Sequence, residues 1–206
     1  MSAAWTGAVL VGGRSRRMGS DKALLRDARG RTWVDRIVSA LRAAGASHCL
    51  AVARAPLGPD LEGELRRLDA DLALDRRPGL GPLAGLEAAL LASPTPWCLV
   101  VACDMPAVAP DLLEGLAARG SSASASRAFV PVASGRIQPL QALYHRDLLG
   151  AVAARLERAD PRERSLRGLL EDLGERCTHL EFDSEASFFN ANTPADLRGL
   201  DLGSGL

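Results

Sequence analysis

The sequence has no excess of charge of either sign, because its 206 residues contain 25 lysines and arginines and 25 aspartates and glutamates. Proteins that bind nucleic acids or membrane surfaces generally carry a basic excess, so the balance argues against both classes of partner. No apolar stretch is long enough to span a bilayer, and the first residues lack the charged start and long apolar core of a signal peptide. We therefore expect a cytoplasmic protein with no nucleic-acid or membrane partner.

Several common catalytic motifs are also missing. The four cysteines form no Cys-x-x-Cys pair and have no histidine at metal-ligand spacing, so we expect buried free thiols. The three histidines do not cluster with acid or nucleophile partners, and Gly-x-Ser-x-Gly does not occur. The sequence also lacks Gly-x-x-x-x-Gly-Lys-Ser/Thr, the phosphate loop of many NTPases. Zinc sites are disfavoured, and the serine-hydrolase and P-loop patterns are excluded.

Short apolar runs alternate with segments of helical periodicity, a pattern typical of an α/β domain. No internal repeat and no convincing linker divides the chain, which has the length of one well-buried domain. The predicted strands cover Ala8–Val11, Cys49–Ala53, Asp71–Leu74, Trp97–Ala102, Phe129–Val132, Leu140–Tyr144 and His179–Phe182. Helical apolar faces run from Val34 to Leu41, Leu61 to Leu68, Leu83 to Leu90, Leu148 to Leu156 and Leu166 to Leu173.

A glycine-rich basic loop directly follows the first predicted strand. Leu10-Val11-Gly12-Gly13 is followed by three arginines, a third glycine and Lys22. Glycines let backbone N–H groups approach a ligand closely, and a run of such groups forms a concavity that binds anions. The loop therefore predicts a polyphosphate site, for a nucleoside triphosphate in preference to a merely solvated turn.

Asp104 follows the most continuously apolar strand, within Cys103-Asp104-Met105-Pro106. Ligands of open α/β sheets bind beyond the carboxyl ends of the strands. A carboxylate beside a polyphosphate can hold Mg²⁺, which prefers one or two carboxylates together with phosphates and water. An isolated Asp-x-Pro could equally cap the next helix, but the neighbouring phosphate loop favours a metal ligand.

The segment from Asp75 to Gly85 contains a match to the dinucleotide-binding pattern Gly-x-Gly-x-x-Ala, with Asp104 about twenty residues further on. This match supports a rival function, an NAD-type oxidoreductase. The rival is disfavoured because the preceding apolar stretch is short, whereas the fingerprint usually follows the first long strand of a domain. The alternative is a turn that lines the base or ribose of a bound nucleotide.

A fourth candidate segment runs from Phe188 to Pro194 and contains Asn190 and Asn192. Thr193 or Asn192 can cap a helix that begins at Pro194. In a strand-like segment the two asparagines point to opposite faces, so one could bind a ligand while the other holds the turn.

Taken in chain order, these segments resemble the molybdenum cofactor guanylyltransferases, within the wider nucleotidyltransferase family. Leu10 to Lys22 is similar to the family signature, with Val11 where the family has alanine, and Gly81–Gly85, Cys103–Pro106 and Asn190–Pro194 are similar to later blocks. The resemblance implies a Rossmann-like three-layer αβα sandwich with a mostly parallel, mixed central sheet. It also implies a single domain over 1–206, with a nucleotide-binding N-terminal half and an acceptor-binding C-terminal half.

The reaction implied by this resemblance is transfer of GMP from GTP to the terminal phosphate of molybdopterin, with release of pyrophosphate. Mg²⁺ at Asp104 would bridge the attacking and leaving oxygens, while Arg17 and Lys22 would stabilise charge on the pyrophosphate. By the same resemblance, Leu10, Val11, Gly12, Gly13 and Asp75 would contact the nucleotide, Arg17 and Lys22 the triphosphate, Asp104 the Mg²⁺ ion, and Asn190 and Asn192 the acceptor side.

Related activities stay open as alternatives. Molybdopterin cytidylyltransferases tend to have alanine in the first loop, and sugar-1-phosphate nucleotidyltransferases usually have a longer loop and a larger chain. A binding module without catalysis is disfavoured because Lys22 and Asp104 are both present. The family often has a nucleotide-binding asparagine after the second strand, where this chain has Val52-Ala53-Arg54. Other cofactor-biosynthesis proteins or molybdoenzymes are candidate protein partners.

Overall fold

A computed structural model describes residues 4–11, 21–54, 57–120, 125–182, 186–191, 193 and 196. Its strands are β1 (Trp5–Leu10), β2 (His48–Ala53), β3 (Asp71–Leu74), β4 (Trp97–Ala102), β5 (Ala128–Ala133), β6 (Arg136–Ile137), β7 (Gln141–His145) and β8 (Cys177–Phe182). Its α-helices are α1 (Trp33–Ala43), α2 (Pro59–Arg67), α3 (Pro82–Ala92), α4 (Pro110–Arg119), α5 (Leu149–Leu156) and α6 (Leu166–Leu173).

All eight strands form one sheet, in the order β3-β2-β1-β4-β7-β5-β6, and β8 also pairs with β5 along its whole length. Strands β1 to β4 are mutually parallel, and β5 and β8 run in the same direction as they do. Strands β6 and β7 run the opposite way. The sheet is therefore mixed and mostly parallel, as expected.

Helices cover both faces of the sheet. The apolar sides of α1, α2 and α4 pack on one face together with Val9, Leu99 and Val101. The apolar sides of α3, α5 and α6 pack on the opposite face with Ala8 and Val100. Alternate residues of β1 and β4 thus enter different cores, which is why β4 is apolar without interruption. The expected three-layer αβα sandwich is confirmed.

Two features of the fold differ from the sequence-based expectations. A tight hairpin joins β5 to β6, with Ser134 and Gly135 at φ values of 49° and 69°, although the sequence predicts no strand at Arg136–Ile137. The expectation of a strand-like Asn190 segment is wrong. That segment follows a 3₁₀ turn at Ala186–Phe188 and has no regular structure at Phe189, Asn190 and Ala191.

The carboxyl ends of four parallel strands lie side by side at one edge of the sheet. Leu10, the last residue of β1, is in register with Val52 on one side and with Ala102 on the other. On β2, Ala53 is in register with Leu74, the last residue of β3. The loops that leave these strands therefore emerge next to one another. None of the helices in the described residues is long and apolar enough to cross a membrane.

Candidate functional site

A cavity of about 330 Å³ opens at this edge of the sheet. It lies beyond the carboxyl ends of β1, β2 and β4 and beside the start of α3, which is where open α/β sheets bind ligands. Four of its lining residues are charged: Lys22, Arg54, Asp75 and Asp104. The remaining lining residues are uncharged: Leu10, Val52, Ala53, Gly81, Pro82, Gly85, Ala102, Cys103 and Leu140.

The order of the strands separates the charged residues along the cavity. Asp75 follows β3, Arg54 follows β2, and Asp104 lies two residues beyond the end of β4. Neighbouring strands are spaced by about 4.8 Å, so the ends of β3 and β4 are about 14 Å apart, because β2 and β1 lie between them. The cavity therefore has one charged end at Asp75 and Arg54 and another at Asp104 and Lys22.

The Asp104 carboxylate is half-buried and faces the cavity. Burial raises the pKa of Asp104, and the positive charge of Lys22 partly offsets this rise. The carboxylate accepts no hydrogen bond from another side chain within the described ranges and forms no ion pair shorter than 4 Å there. This desolvated carboxylate is therefore only partly compensated by the protein, and a cation in the cavity would stabilise it.

Lys22 begins a short 3₁₀ helix, Lys22–Leu24, whose first turn is capped by Asp21. The Asp21 carboxylate accepts a hydrogen bond of 3.2 Å from the Ala23 amide. Burial raises the pKa of Asp21, and the amide hydrogen bond opposes the rise. Burial also raises the pKa of the Cys103 thiol to about 12, so this lining residue is a neutral thiol at pH 7. The cap fixes the start of the 3₁₀ helix that carries Lys22, and Lys22 lines the cavity.

The turn after β3 is tied to the helices on one face of the sheet. Asp75 Oδ1 accepts a hydrogen bond of 2.8 Å from the Arg77 amide. The Arg77 side chain forms ion pairs of 3.2 Å with Glu87 on α3 and 3.3 Å with Glu157 beyond α5. Because the Glu87 side chain is only 9% exposed, this pair anchors the turn more firmly than the exposed pair with Glu157. The anchored turn fixes Asp75 at the end of the cavity.

Gly81 brings the start of α3 to the cavity wall. Its φ of 81° and ψ of −164° lie in a region of backbone conformation that is essentially restricted to glycine. Pro82 follows as the first residue of the helix, and Gly85 packs on Leu10, where an added Cβ would lie 3.3 Å from both methyl carbons. The start of α3 therefore lines the cavity through two glycines and one proline.

This geometry also explains why the dinucleotide-binding pattern is misleading. The Gly79–Ala84 match follows β3, a four-residue strand at the edge of the sheet, and not a long central strand. Asp104 follows β4, and β2 and β1 separate it from β3. The carboxylate of that pattern binds a ribose close to its own glycine turn, so Asp104 is wrongly placed for an NAD-type site.

The C-terminal segment reaches the Asp104 loop through the backbone. The Ala191 amide donates a hydrogen bond of 2.8 Å to the main-chain oxygen of Asp104, and Ala191 is fully buried against Trp33. Asn190 is exposed and does not line the cavity. Thr193 donates from its hydroxyl and its amide to the Asp196 carboxylate, at 3.0 and 2.9 Å, as in a capping turn. Pro194 lies outside the described residues, so the helix cap expected at Thr193 stays a prediction.

Apart from Asn190, which is exposed and lies outside the cavity lining, the predicted site residues fall into three groups. Leu10, Lys22, Asp75 and Asp104 line the same cavity. Val11 is buried in the core, and its amide donates a hydrogen bond of 2.9 Å to the main-chain oxygen of Val52. This amide therefore extends the hydrogen bonding between β1 and β2. Four predicted residues lie outside the described part of the chain: Gly12, Gly13, Arg17 and Asn192.

Arg54 and Leu140 line the cavity but are not among the predicted site residues. Arg54 directly follows β2, and Leu140 directly precedes β7. The rule that selects Asp75 and Asp104, a polar residue just beyond a parallel strand, also applies to Arg54 and could have found it. Leu140 has no such signal, because its place depends on the antiparallel pairing of β7 with β4.

The carboxylate set limits the kind of metal that this cavity could hold. No cluster of three or more histidine, cysteine, aspartate or glutamate side chains suited to a metal occurs among the residues that the structure describes. A structural zinc site needs about four such ligands, whereas Mg²⁺ is commonly held by one or two carboxylates plus substrate phosphates and water. Asp104 fits the second arrangement.

Comparisons with known proteins agree with this geometry. A probable molybdenum cofactor guanylyltransferase from Pelotomaculum thermopropionicum is 32% identical over 194 residues, which cover 93% of this chain and 89% of that protein. A second probable molybdenum cofactor guanylyltransferase, from Natronomonas pharaonis, is 34% identical over 194 residues, which cover 93% of this chain and 94% of that protein. The structure also superimposes on the crystal structure of molybdopterin-guanine dinucleotide biosynthesis protein A from Archaeoglobus fulgidus, with a TM-score of 0.72 and 29% identity. The superposition covers 94% of this chain and 95% of that protein.

The family assignment rests on most of the chain. The family model of the MobA-like NTP transferase domain matches residues 7–177, which include all of the charged cavity residues. The match and the two relatives confirm the family resemblance expected from the sequence motifs. The chain belongs to the MobA-like NTP transferase family.

Proposed function

We propose that this chain transfers GMP from GTP to the terminal phosphate of molybdopterin and releases pyrophosphate. The observation that carries the proposal is the shared cavity of Lys22, Asp75 and Asp104, which come from three distant parts of the sequence. The relatives described as guanylyltransferases support the choice of reaction and of GTP. The product would be molybdopterin guanine dinucleotide.

The separation of charges suggests how the nucleotide lies. Its triphosphate belongs at the end with Lys22, where positive charge complements phosphate oxygens. Its nucleoside belongs at the other end, beside Asp75, whose second carboxylate oxygen is available to accept hydrogen bonds from ribose or base. The start of α3 would also face the nucleotide, because Gly81, Pro82 and Gly85 line the cavity.

Asp104 would hold Mg²⁺ together with oxygens of the triphosphate. Its desolvated carboxylate fits this role, because no other side chain donates a hydrogen bond to it in the described part of the chain. When bound, the ion would neutralise negative charge on the phosphates that react. Mg²⁺ is proposed in preference to zinc because Asp104 offers carboxylate oxygen and the described residues contain no cluster of three or more metal-ligating side chains.

The side chains of the protein contribute charge and position. Attack on the α-phosphorus and in-line departure of pyrophosphate need little covalent assistance, so orientation and electrostatic stabilisation dominate. Lys22 stabilises the charge that grows on the leaving pyrophosphate. The segment at Asn190 lies next to the Asp104 loop, which favours binding of the acceptor at the Asp104 end of the cavity. Arg17 and Asn192 remain proposed contributors on the phosphate and acceptor sides.

Pyrophosphate release tests this proposal. The purified chain is incubated with molybdopterin and Mg²⁺, and with GTP, CTP or ATP in parallel. The proposal predicts release that requires molybdopterin and occurs with GTP only. A preference for CTP would assign the chain to cytidylyl transfer, and NAD binding without release from any nucleotide would support the oxidoreductase alternative.

A further inference from the structure

Arg54 is a half-buried arginine that lines the cavity. Within the residues that the structure describes, its guanidinium makes no hydrogen bond and no ion pair. Other arginines near the sheet are paired, such as Arg36 with Asp27 at 2.8 Å and Arg77 with Glu87 at 3.2 Å. The five donors of the Arg54 guanidinium are thus available to a molecule in the cavity.

The position of Arg54 in the sheet indicates which part of a nucleotide it meets. It follows β2, which neighbours β3 and is separated from β4 by β1. Arg54 is therefore about 5 Å from the strand that leads to Asp75 and about 10 Å from the strand that leads to Asp104. In the orientation proposed above, this places the guanidinium at the nucleoside end of the cavity and away from the triphosphate.

The chemistry of the bases then favours one partner. Guanine presents two adjacent acceptors, O6 and N7, which match the planar fork of an arginine side chain. Cytosine presents an amino donor at the corresponding edge, and adenine presents an amino donor next to its N7 acceptor. An arginine can therefore bind guanine through two hydrogen bonds and meets a repelling donor on either of the other bases.

We infer that Arg54 is a base-selecting residue, which donates two hydrogen bonds to O6 and N7 of the guanine. The inference rests on the proposed use of GTP and adds the residue that distinguishes it from CTP and ATP. It also gives a function to a position where the family often has asparagine. The second carboxylate oxygen of Asp75 remains available to the ribose or to the donor edge of the base.

An analogue of GTP that lacks a single acceptor tests this contact. In 7-deaza-GTP a carbon replaces N7, while O6, the ribose and the triphosphate are unchanged. Dissociation constants for GTP and 7-deaza-GTP are measured by calorimetry with the full chain, with Arg54→Met and with Arg54→Lys. The matched control is Arg76→Met, which removes the same charge from an exposed position that does not line the cavity.

The unaltered chain and Arg76→Met should bind 7-deaza-GTP about tenfold more weakly than GTP. In Arg54→Met, GTP affinity should fall by about tenfold or more, and the difference between GTP and 7-deaza-GTP should disappear. Arg54→Lys should resemble Arg54→Met, because an ammonium group keeps the charge but loses the planar fork.

Three results would overturn the inference. An undiminished preference for GTP over 7-deaza-GTP in Arg54→Met would show that Arg54 does not contact N7. Full GTP affinity in Arg54→Lys would assign Arg54 a role of charge alone, such as a phosphate contact. Absence of GTP binding by the unaltered chain would overturn the proposed function together with the inference. The first two results would overturn the inference alone, so the two failures are distinguishable.

Discussion

The amide of Ala191 donates a hydrogen bond of 2.8 Å to the main-chain oxygen of Asp104. This contact joins the last described part of the chain to the loop that carries the cavity carboxylate. Ala191 has no exposed surface and packs on the buried indole of Trp33 at the start of α1. The Asp104 loop is therefore held from outside the sheet as well as by β4, and the neighbouring Asn190 is held close to it.

Replacing Ala191 with proline should uncouple the two segments, because proline has no amide hydrogen to donate. We expect a loss of about 0.5–1.5 kcal/mol in the free energy of unfolding, since the main-chain oxygen of Asp104 loses this hydrogen bond. Turnover at saturating GTP should fall and the KM for molybdopterin should rise, with a smaller effect on GTP binding. Ala191→Gly retains the amide and serves as the control, and equal molybdopterin KM values in both variants would contradict the expectation.

Asp104→Asn should separate stability from activity. Removing a desolvated charge should raise the melting temperature of the free protein at pH 7, while turnover falls by about 100-fold or more. Because the folded pKa is raised above 3.8, the folded protein holds this proton more tightly than the unfolded chain does. The cost of ionising Asp104 therefore appears as pH rises from about 4 through the folded pKa, and it is absent from the variant.

Denaturant unfolding of both proteins between pH 3.5 and 7.5 measures this difference. The stability advantage of Asp104→Asn should be small at the lowest pH and grow as the pH rises. An advantage that shrinks with rising pH would mean that the ionised carboxylate is stabilised in the folded protein, which is the opposite of what its burial predicts.

The central strands and helices could be predicted from periodicity, and the positions of Asp75 and Asp104 followed from the rule that ligands bind beyond parallel strands. The arrangement of β6 and β7 could not, because strand direction depends on how the hairpin at Ser134 returns to the sheet. Neither could the contact of Ala191 with Asp104, which joins an aperiodic segment to a distant loop. Arg54 lies at the kind of position that the strand rule selects, but its side chain differs from the asparagine that is common in the family.

Lys22 is the sole lysine of the sequence, which makes it accessible to a selective chemical test. An amine-directed reagent followed by peptide mass spectrometry reports on Lys22 alone, apart from the chain terminus. We expect GTP with Mg²⁺ to slow the modification of Lys22 at least several-fold, because phosphate oxygens would bind its ammonium group and shield it from the reagent. Guanosine, which has the base and ribose but no phosphate, is the control and should give little protection. Equal protection by both would contradict a phosphate contact.

The anchor of the Asp75 turn can be tested with two substitutions that act on the same arginine. Glu87→Gln removes the buried partner of Arg77, and Glu157→Gln removes the exposed one. Glu87→Gln should cost about 1–3 kcal/mol of stability and raise the KM for GTP several-fold at nearly constant kcat. Glu157→Gln should change stability by less than about 1 kcal/mol. The reverse ranking would show that the exposed pair holds the turn.

The fate of the α-phosphate of GTP decides whether the chain is a guanylyltransferase. GTP labelled at the α-phosphate is incubated with molybdopterin, Mg²⁺ and either the unaltered chain or Asp104→Asn, and the products are separated and identified by mass spectrometry. We predict one labelled product with the mass of molybdopterin guanine dinucleotide, formed by the unaltered chain and reduced about 100-fold or more in Asp104→Asn. Label that remains in GTP, or that appears only in free GMP, would contradict guanylyl transfer.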